Sequence, residues 1–165
     1  MVEDTAGAAL LFALAVTIHN VEEWIWLPGF PHPPALKPPS AFAFRFAVAA
    51  ITLPFWALAA GLVLGFPVEP VLAGFAAAMI VNAAVPHLAA SLWLRRYHPG
   101  TGTAWLLVVP AALNALATMD AAVRLGEPSF ALGVLAGAMG LAVSVPLLLA
   151  IGRRVELCKM RRPGR

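Results

Sequence analysis

Five apolar runs, each long enough to cross the hydrocarbon core of a bilayer, make up most of the chain: residues 5–27, 41–65, 68–94, 102–123 and 129–151. Turn chemistry fills the breaks between them, in the proline-rich 28–39 segment, Gly65-Phe66-Pro67, His98-Pro99-Gly100 and Gly126-Glu127-Pro128. This pattern predicts an all-α fold, a polytopic membrane protein built as a bundle of about five transmembrane helices. No convincing internal repeat is visible, which argues against an inverted-repeat transporter. Gly133, Gly137 and Gly140 give the fifth helix a small-residue face suited to close packing in lipid.

Composition agrees with the pattern. The chain is 61% hydrophobic and 12% charged, whereas an ordinary soluble domain carries about a quarter charged residues, so it cannot cover a water-facing surface. A net charge of +3 is compatible with nucleic-acid binding, but six of the eleven Lys and Arg fall between Arg153 and Arg165. That places a basic tail, 153–165, after a single transmembrane domain, 1–152, and no nucleic-acid partner is expected. The tail favours anionic membrane lipids by about 1 kcal/mol per basic residue near the surface. Sorting the basic residues by connection puts Lys37, Arg45, Arg95, Arg96 and the six of the tail on one face and Arg124 alone on the other. By the positive-inside rule the C-terminus is then cytoplasmic and the N-terminus outside. Trp24, Trp26, Trp93, Tyr97 and Trp105 fall near the same cytoplasmic boundary, where aromatic rings anchor. The single cysteine, Cys158, excludes an intrachain disulfide. Glu3 and Asp4 stand where a signal peptide would be basic, so the first helix is expected to stay in the mature protein.

Ionisable residues inside spans cost about 2.5 to 3.5 kcal/mol each and need a reason to be there. The richest group is His19-Asn20-Val21-Glu22-Glu23, whose 3- and 4-residue spacings put the imidazole and both carboxylates on one helical face. At about 1.5 Å per residue, these groups lie in the same layer as Asn82 and His87 of the third helix, toward the cytoplasmic end. Arg45 of the second helix falls at the level of the glutamates, and Asn114 of the fourth lies nearer the midplane. Asn82 and His87 are about 140° apart on a straight helix, but Pro86 between them can kink or retwist the segment.

The segment resembles the defining motif of the H-x-x-E-E family, small bacterial membrane proteins of largely uncharacterised activity. His19, Glu22 and Glu23 match the motif, and Asn82 and His87 are similar to polar positions that accompany it. The resemblance implies a multi-span protein of the bacterial inner membrane, suspected to be an enzyme, and supplies no substrate.

Two histidines and a carboxylate form a ligand set for catalytic zinc or non-haem iron. In that reading His19, His87 and one of Glu22 or Glu23 hold the divalent metal, the other glutamate is a general base, and Asn82 polarises a substrate oxygen. The result is a metal-dependent hydrolase acting on a lipidic or amphipathic substrate. A metal-free variant has a glutamate activate water while His87 and Asn82 stabilise negative charge. The reading from another class is a small transporter or metal-handling protein that uses the cluster as a binding site. A bland rival is a structural ion-pair network between the motif and Arg45, a residue that otherwise serves as counter-ion to the reacting groups or snorkels. His87, Asn82 and Asn114 have a bland rival as interhelical hydrogen-bonding groups. Asp120 is expected to reach Arg124, and His32 and His98 are read as surface loop residues.

Overall fold

A computed structural model of the chain describes residues 2–31 and 38–161. His32, Lys37 and residues 162–165 of the basic tail lie outside them, as does the side chain of Glu3. Among the described residues every regular element is helical. Five helices are long and apolar enough to cross a membrane: α1 (Val2–Trp26), α2 (Ala41–Val63), α3 (Glu69–Leu94), α4 (Thr101–Thr118) and α5 (Pro128–Met160). The all-α, five-helix expectation therefore holds.

Local chemistry sets the boundaries. Helix α1 tightens into a 3₁₀ turn at Leu27-Pro28-Gly29. The Ser40 hydroxyl caps α2 by accepting from the Ala43 N–H at 3.2 Å, and the same hydroxyl donates to Glu156 of α5. Helices α3 and α5 each begin with a proline in the first turn, where its missing N–H leaves nothing unpaired.

Two boundaries differ from the sequence expectation. The fourth span breaks after Thr118, where Asp120 adopts a left-handed conformation with φ of 50° before a single helical turn, Ala121–Arg124. Arg124 consequently swings to Glu69 of α3, 2.8 Å away, with Glu127 at 3.9 Å, and this replaces the expected pairing with Asp120. Helix α5 continues to Met160, so residues 153–160 of the expected tail are helical.

Without a hydrophobic drive between helices in lipid, close van der Waals approach must hold the bundle, and glycine supplies it where α5 crosses α3. A Cβ on Gly74 would sit 2.2 Å from the Val134 carbonyl oxygen, and one on Gly137 would sit 2.3 Å from that of Val71. Gly133 meets Pro70 in the same way, whereas Gly140 faces open space and takes no part. At the other end of α5, Gly152 lies against the backbone of Ala43 in α2. The core between these crossings is rich in alanine, with Phe12, Phe55 and Phe75 stacked edge to face at 5.6 and 5.0 Å. Polar bonds fix the rotation of α1 against α2: the Asn20 amide donates to Thr52 at 2.8 Å, and the Trp56 indole donates to Thr17 at 2.9 Å. The buried Asn20 thus faces α2, leaving His19 and Glu23 to face α3.

Candidate metal centre

Three pieces of chain converge at one end of the bundle. Helix α1 brings His19, Glu22 and Glu23. Helix α3 brings His87 on a stretch of π-helix, Ala83–Ala89, which contains Pro86. Proline has no N–H for the i→i−4 ladder, and the helix widens to i→i+5 bonding around it. His87 is thereby turned inward, 2% exposed, beside His19 at 1%. The third piece is His98-Pro99-Gly100, with the first turn of α4, which folds back over the two imidazoles.

The two rings stand edge to face with centroids 4.8 Å apart. Their Nδ1 atoms point outward to fixed partners and their Nε2 atoms point inward. His87 Nδ1 lies 3.1 Å from the Pro99 carbonyl oxygen, which can only accept, so Nδ1 carries the proton. His19 Nδ1 lies 3.1 Å from the Thr103 hydroxyl. That hydroxyl has one proton and gives it to Glu22 Oε2 at 2.6 Å, so His19 Nδ1 donates to Thr103. When each imidazole is neutral, both Nε2 lone pairs then converge on Glu23, whose Oε1 is 3.3 Å from His87 Nε2 and 3.9 Å from His19 Nε2. His87 Nε2 is buried without a hydrogen-bond partner.

The donor atoms of His19, Glu23 and His87 all lie within 4.8 Å of one another, as a metal-holding group requires. Zinc bonds of about 2.05 Å in a tetrahedron imply ligand separations of about 3.3 Å. The Glu23–His87 edge already has that length, and the Glu23–His19 edge is 3.9 Å. Ligating histidines usually donate their other ring N–H to a carbonyl or carboxylate. His87 does so directly, and His19 does so through Thr103.

Glu22 stands apart from this triad. Its Oε1 accepts from the Tyr97 hydroxyl at 2.5 Å and the Gly100 N–H at 3.0 Å, and its Oε2 accepts from Thr103. With both oxygens engaged by three donors, it organises the loop and the Thr103 bridge, and its geometry does not suit a base for water. Asn82 lines a cavity of about 660 Å³ together with His19 and Glu23. The structure does not bring Arg45 to the site, which corrects the expectation of a counter-ion or reacting group. Its exposed side chain donates from Nε to the Trp24 carbonyl at 3.3 Å, one of the unpaired carbonyls at the end of α1. Asn114 is exposed on α4.

Sequence reasoning missed four residues. Gly100 has φ of +92°, and a Cβ there would lie 2.6 Å from His87 Cε1 and 2.9 Å from His19 Cε1. Thr103 and Tyr97 hold Glu22. Pro99 orients His87. His98 is half-buried, its ring 5.6 Å from His87 and 4.9 Å from Phe30, so it is part of the loop's packing and not a free surface residue. The signal available was His-Pro-Gly-Thr-Gly-Thr itself, a turn rich in small and hydroxylic residues.

The described residues, with helices as their regular elements, five of them membrane-length, and a buried two-histidine, one-carboxylate cluster, define a class of polytopic membrane protein with a candidate metal site. Residues 10–115 match the family model described as "Protein of unknown function with HXXEE motif", and the chain belongs to that family. It is also similar to "Uncharacterized protein YrkK" of Bacillus subtilis (strain 168), 31% identical over 154 residues that cover 88% of this chain and 95% of the relative. No solved structure matches.

Proposed function

We propose that the chain is a membrane-embedded, metal-dependent hydrolase whose divalent zinc or iron is held by His19 Nε2, His87 Nε2 and Glu23. The observation that carries this reading is the buried, unpartnered Nε2 of His87, aimed at Glu23 and locked as a lone-pair donor by Pro99. A bound metal would lower the pKa of a water toward about 7. Asn82, on the wall of the adjoining cavity, would orient a substrate oxygen. Glu22, Thr103 and Gly100 keep His19 in its ligating tautomer. The largely apolar lining of that cavity supports a lipidic or amphipathic substrate. The ten-to-one asymmetry of basic residues supports placing this end of the bundle at the cytoplasmic face of an inner membrane.

The test is elemental analysis of the purified protein with turnover of long-chain esters and amides in detergent micelles. One tightly held metal per chain, lost together with turnover in Glu23→Gln and in His87→Ala, is the expected result. Metal-free wild-type protein with turnover abolished in Glu23→Gln would replace the metal by acid–base chemistry. Metal uptake into vesicles without turnover would favour a transport or metal-handling role.

A further inference from the structure

The cavity beside the triad is long and has two kinds of wall. On α2 its lining runs from Phe44 to Phe55 and on α5 from Ala138 to Leu149, a rise of about 16 Å along the bundle in each case. Those two walls are entirely apolar. The polar lining residues, His19, Asn20, Glu23 and Asn82, all lie on α1 and α3. Among the described residues no lysine or arginine lines the space.

The cavity is also open to one side. Val81 and Val85 of α3 and Met139 and Val145 of α5 line it, and all four are also exposed on the outside of the bundle. The reason lies in how α5 packs. It is pressed onto α3 through Gly74 and Gly137 and onto α2 through Gly152, and between these crossings residues 138–149 bridge a gap. The resulting slot between α3 and α5 faces the level of the hydrocarbon layer, since both helices are membrane-length there.

We infer that this cavity binds one uncharged amphiphile, a hydrocarbon chain carrying a hydroxyl, ester or amide head, which enters sideways between α3 and α5. The head meets Glu23 and Asn82 while the chain lies along α2 and α5. In the metal-free cavity an anionic head is disfavoured, because no cationic side chain among the described lining residues would receive it. The inference rests on the proposed reading only for the identity of the reactive end. The cavity and its opening stand independently of any metal, whereas its charge is the metal-free one.

The experiment uses full-length protein in phosphatidylcholine nanodiscs and a long-chain fatty alcohol bearing a photoreactive diazirine near its tail end. Labelling is mapped by mass spectrometry, and metal content is measured on the same samples. Crosslinks should concentrate on Phe55, Ala138 and Leu141, which line the end of the cavity far from Glu23. They should be competed by unlabelled fatty alcohol and methyl ester and, in metal-stripped protein, about tenfold less by the fatty alkyl phosphate. Ala142→Phe, which adds an aromatic ring to the cavity wall, should reduce labelling about tenfold, a size in keeping with overpacking of a closely fitted site, with metal content unchanged. Labels spread over outward-facing residues would overturn the inference even if one metal per chain is found, and so would equal competition by the phosphate in metal-stripped protein. Saturable cavity labelling in a metal-free protein would retain the inference and remove the metal. Wild-type mapping and competition decide the matter if Ala142→Phe does not fold.

Discussion

His87 Nε2 and Glu23 Oε1 face each other across 3.3 Å, and the nitrogen has no other polar partner. A buried polar atom left in this state costs about 1–3 kcal/mol. The arrangement is also held from behind, because Pro99, Thr103 and Gly100 each fix one of the groups around it. Three consequences of that support are measurable.

Gly100→Ala should damage the site more than any other single methyl addition in the loop. The residue is left-handed, and its new Cβ would strike both imidazoles. Left-handed strain of about 1–2 kcal/mol adds to an overpacking cost of similar size, so a loss of about 2–4 kcal/mol is expected in thermal or denaturant unfolding in detergent. Gly29→Ala meets nothing within 4 Å and serves as the control. Equal stability of the two variants would contradict the packing of the loop over the rings.

Thr103 connects His19 to Glu22 through its single hydroxyl. Thr103→Val keeps the shape and removes the bridge, so zinc affinity should fall by about 10- to 100-fold, as for other residues supporting a ligating histidine. Thr103→Ser should restore most of it. Binding titrations followed by elemental analysis separate these outcomes, and unaltered affinity in the valine variant would show that the bridge does not matter.

Tyr97 is the chain's single tyrosine, so its ionisation can be followed by absorbance alone. Burial and then the bond to Glu22 raise its pKa above the ordinary value. A raised pKa means that the folded state prefers the neutral phenol. The stability this provides is complete below the unfolded value of about 10 and is lost as pH rises through the higher folded one. The wild-type midpoint should therefore exceed that of free tyrosine, and Glu22→Gln should bring it part of the way back. A wild-type midpoint at or below the ordinary value would remove Glu22 as its partner.

Much of the architecture was legible because lipid imposes a coarse rule: uninterrupted apolar length gives a span, and all five spans follow from it. The His19–Glu23 face was legible for a similar reason, since helical periodicity is fixed once the helix is. What spacing could not settle was rotation. Glu22 and Glu23 are adjacent and chemically identical, and only the Asn20–Thr52 and Thr17–Trp56 bonds to α2, with the returning loop, send Glu23 to the imidazoles and Glu22 to Tyr97 and Thr103. Arg45 shared a depth with the glutamates, but depth says nothing of direction, and its long side chain turned to a carbonyl at the helix end. The loop residues escaped notice because glycine, proline and threonine in a turn are ordinary until a tertiary partner is known.

The wide turn at Ala83–Ala89 makes His87 dependent on the count of residues before it. In an ordinary helix each residue advances by about 100°, so removing one residue from this stretch and restoring regular winding would carry the imidazole around to another side of α3 while scarcely changing the helix's length or apolar character. A deletion of that kind would leave a protein that still inserts and folds but no longer has two histidines facing each other. Length variation within residues 83–89 among related chains would accordingly mark the ones in which this ligand set has been given up.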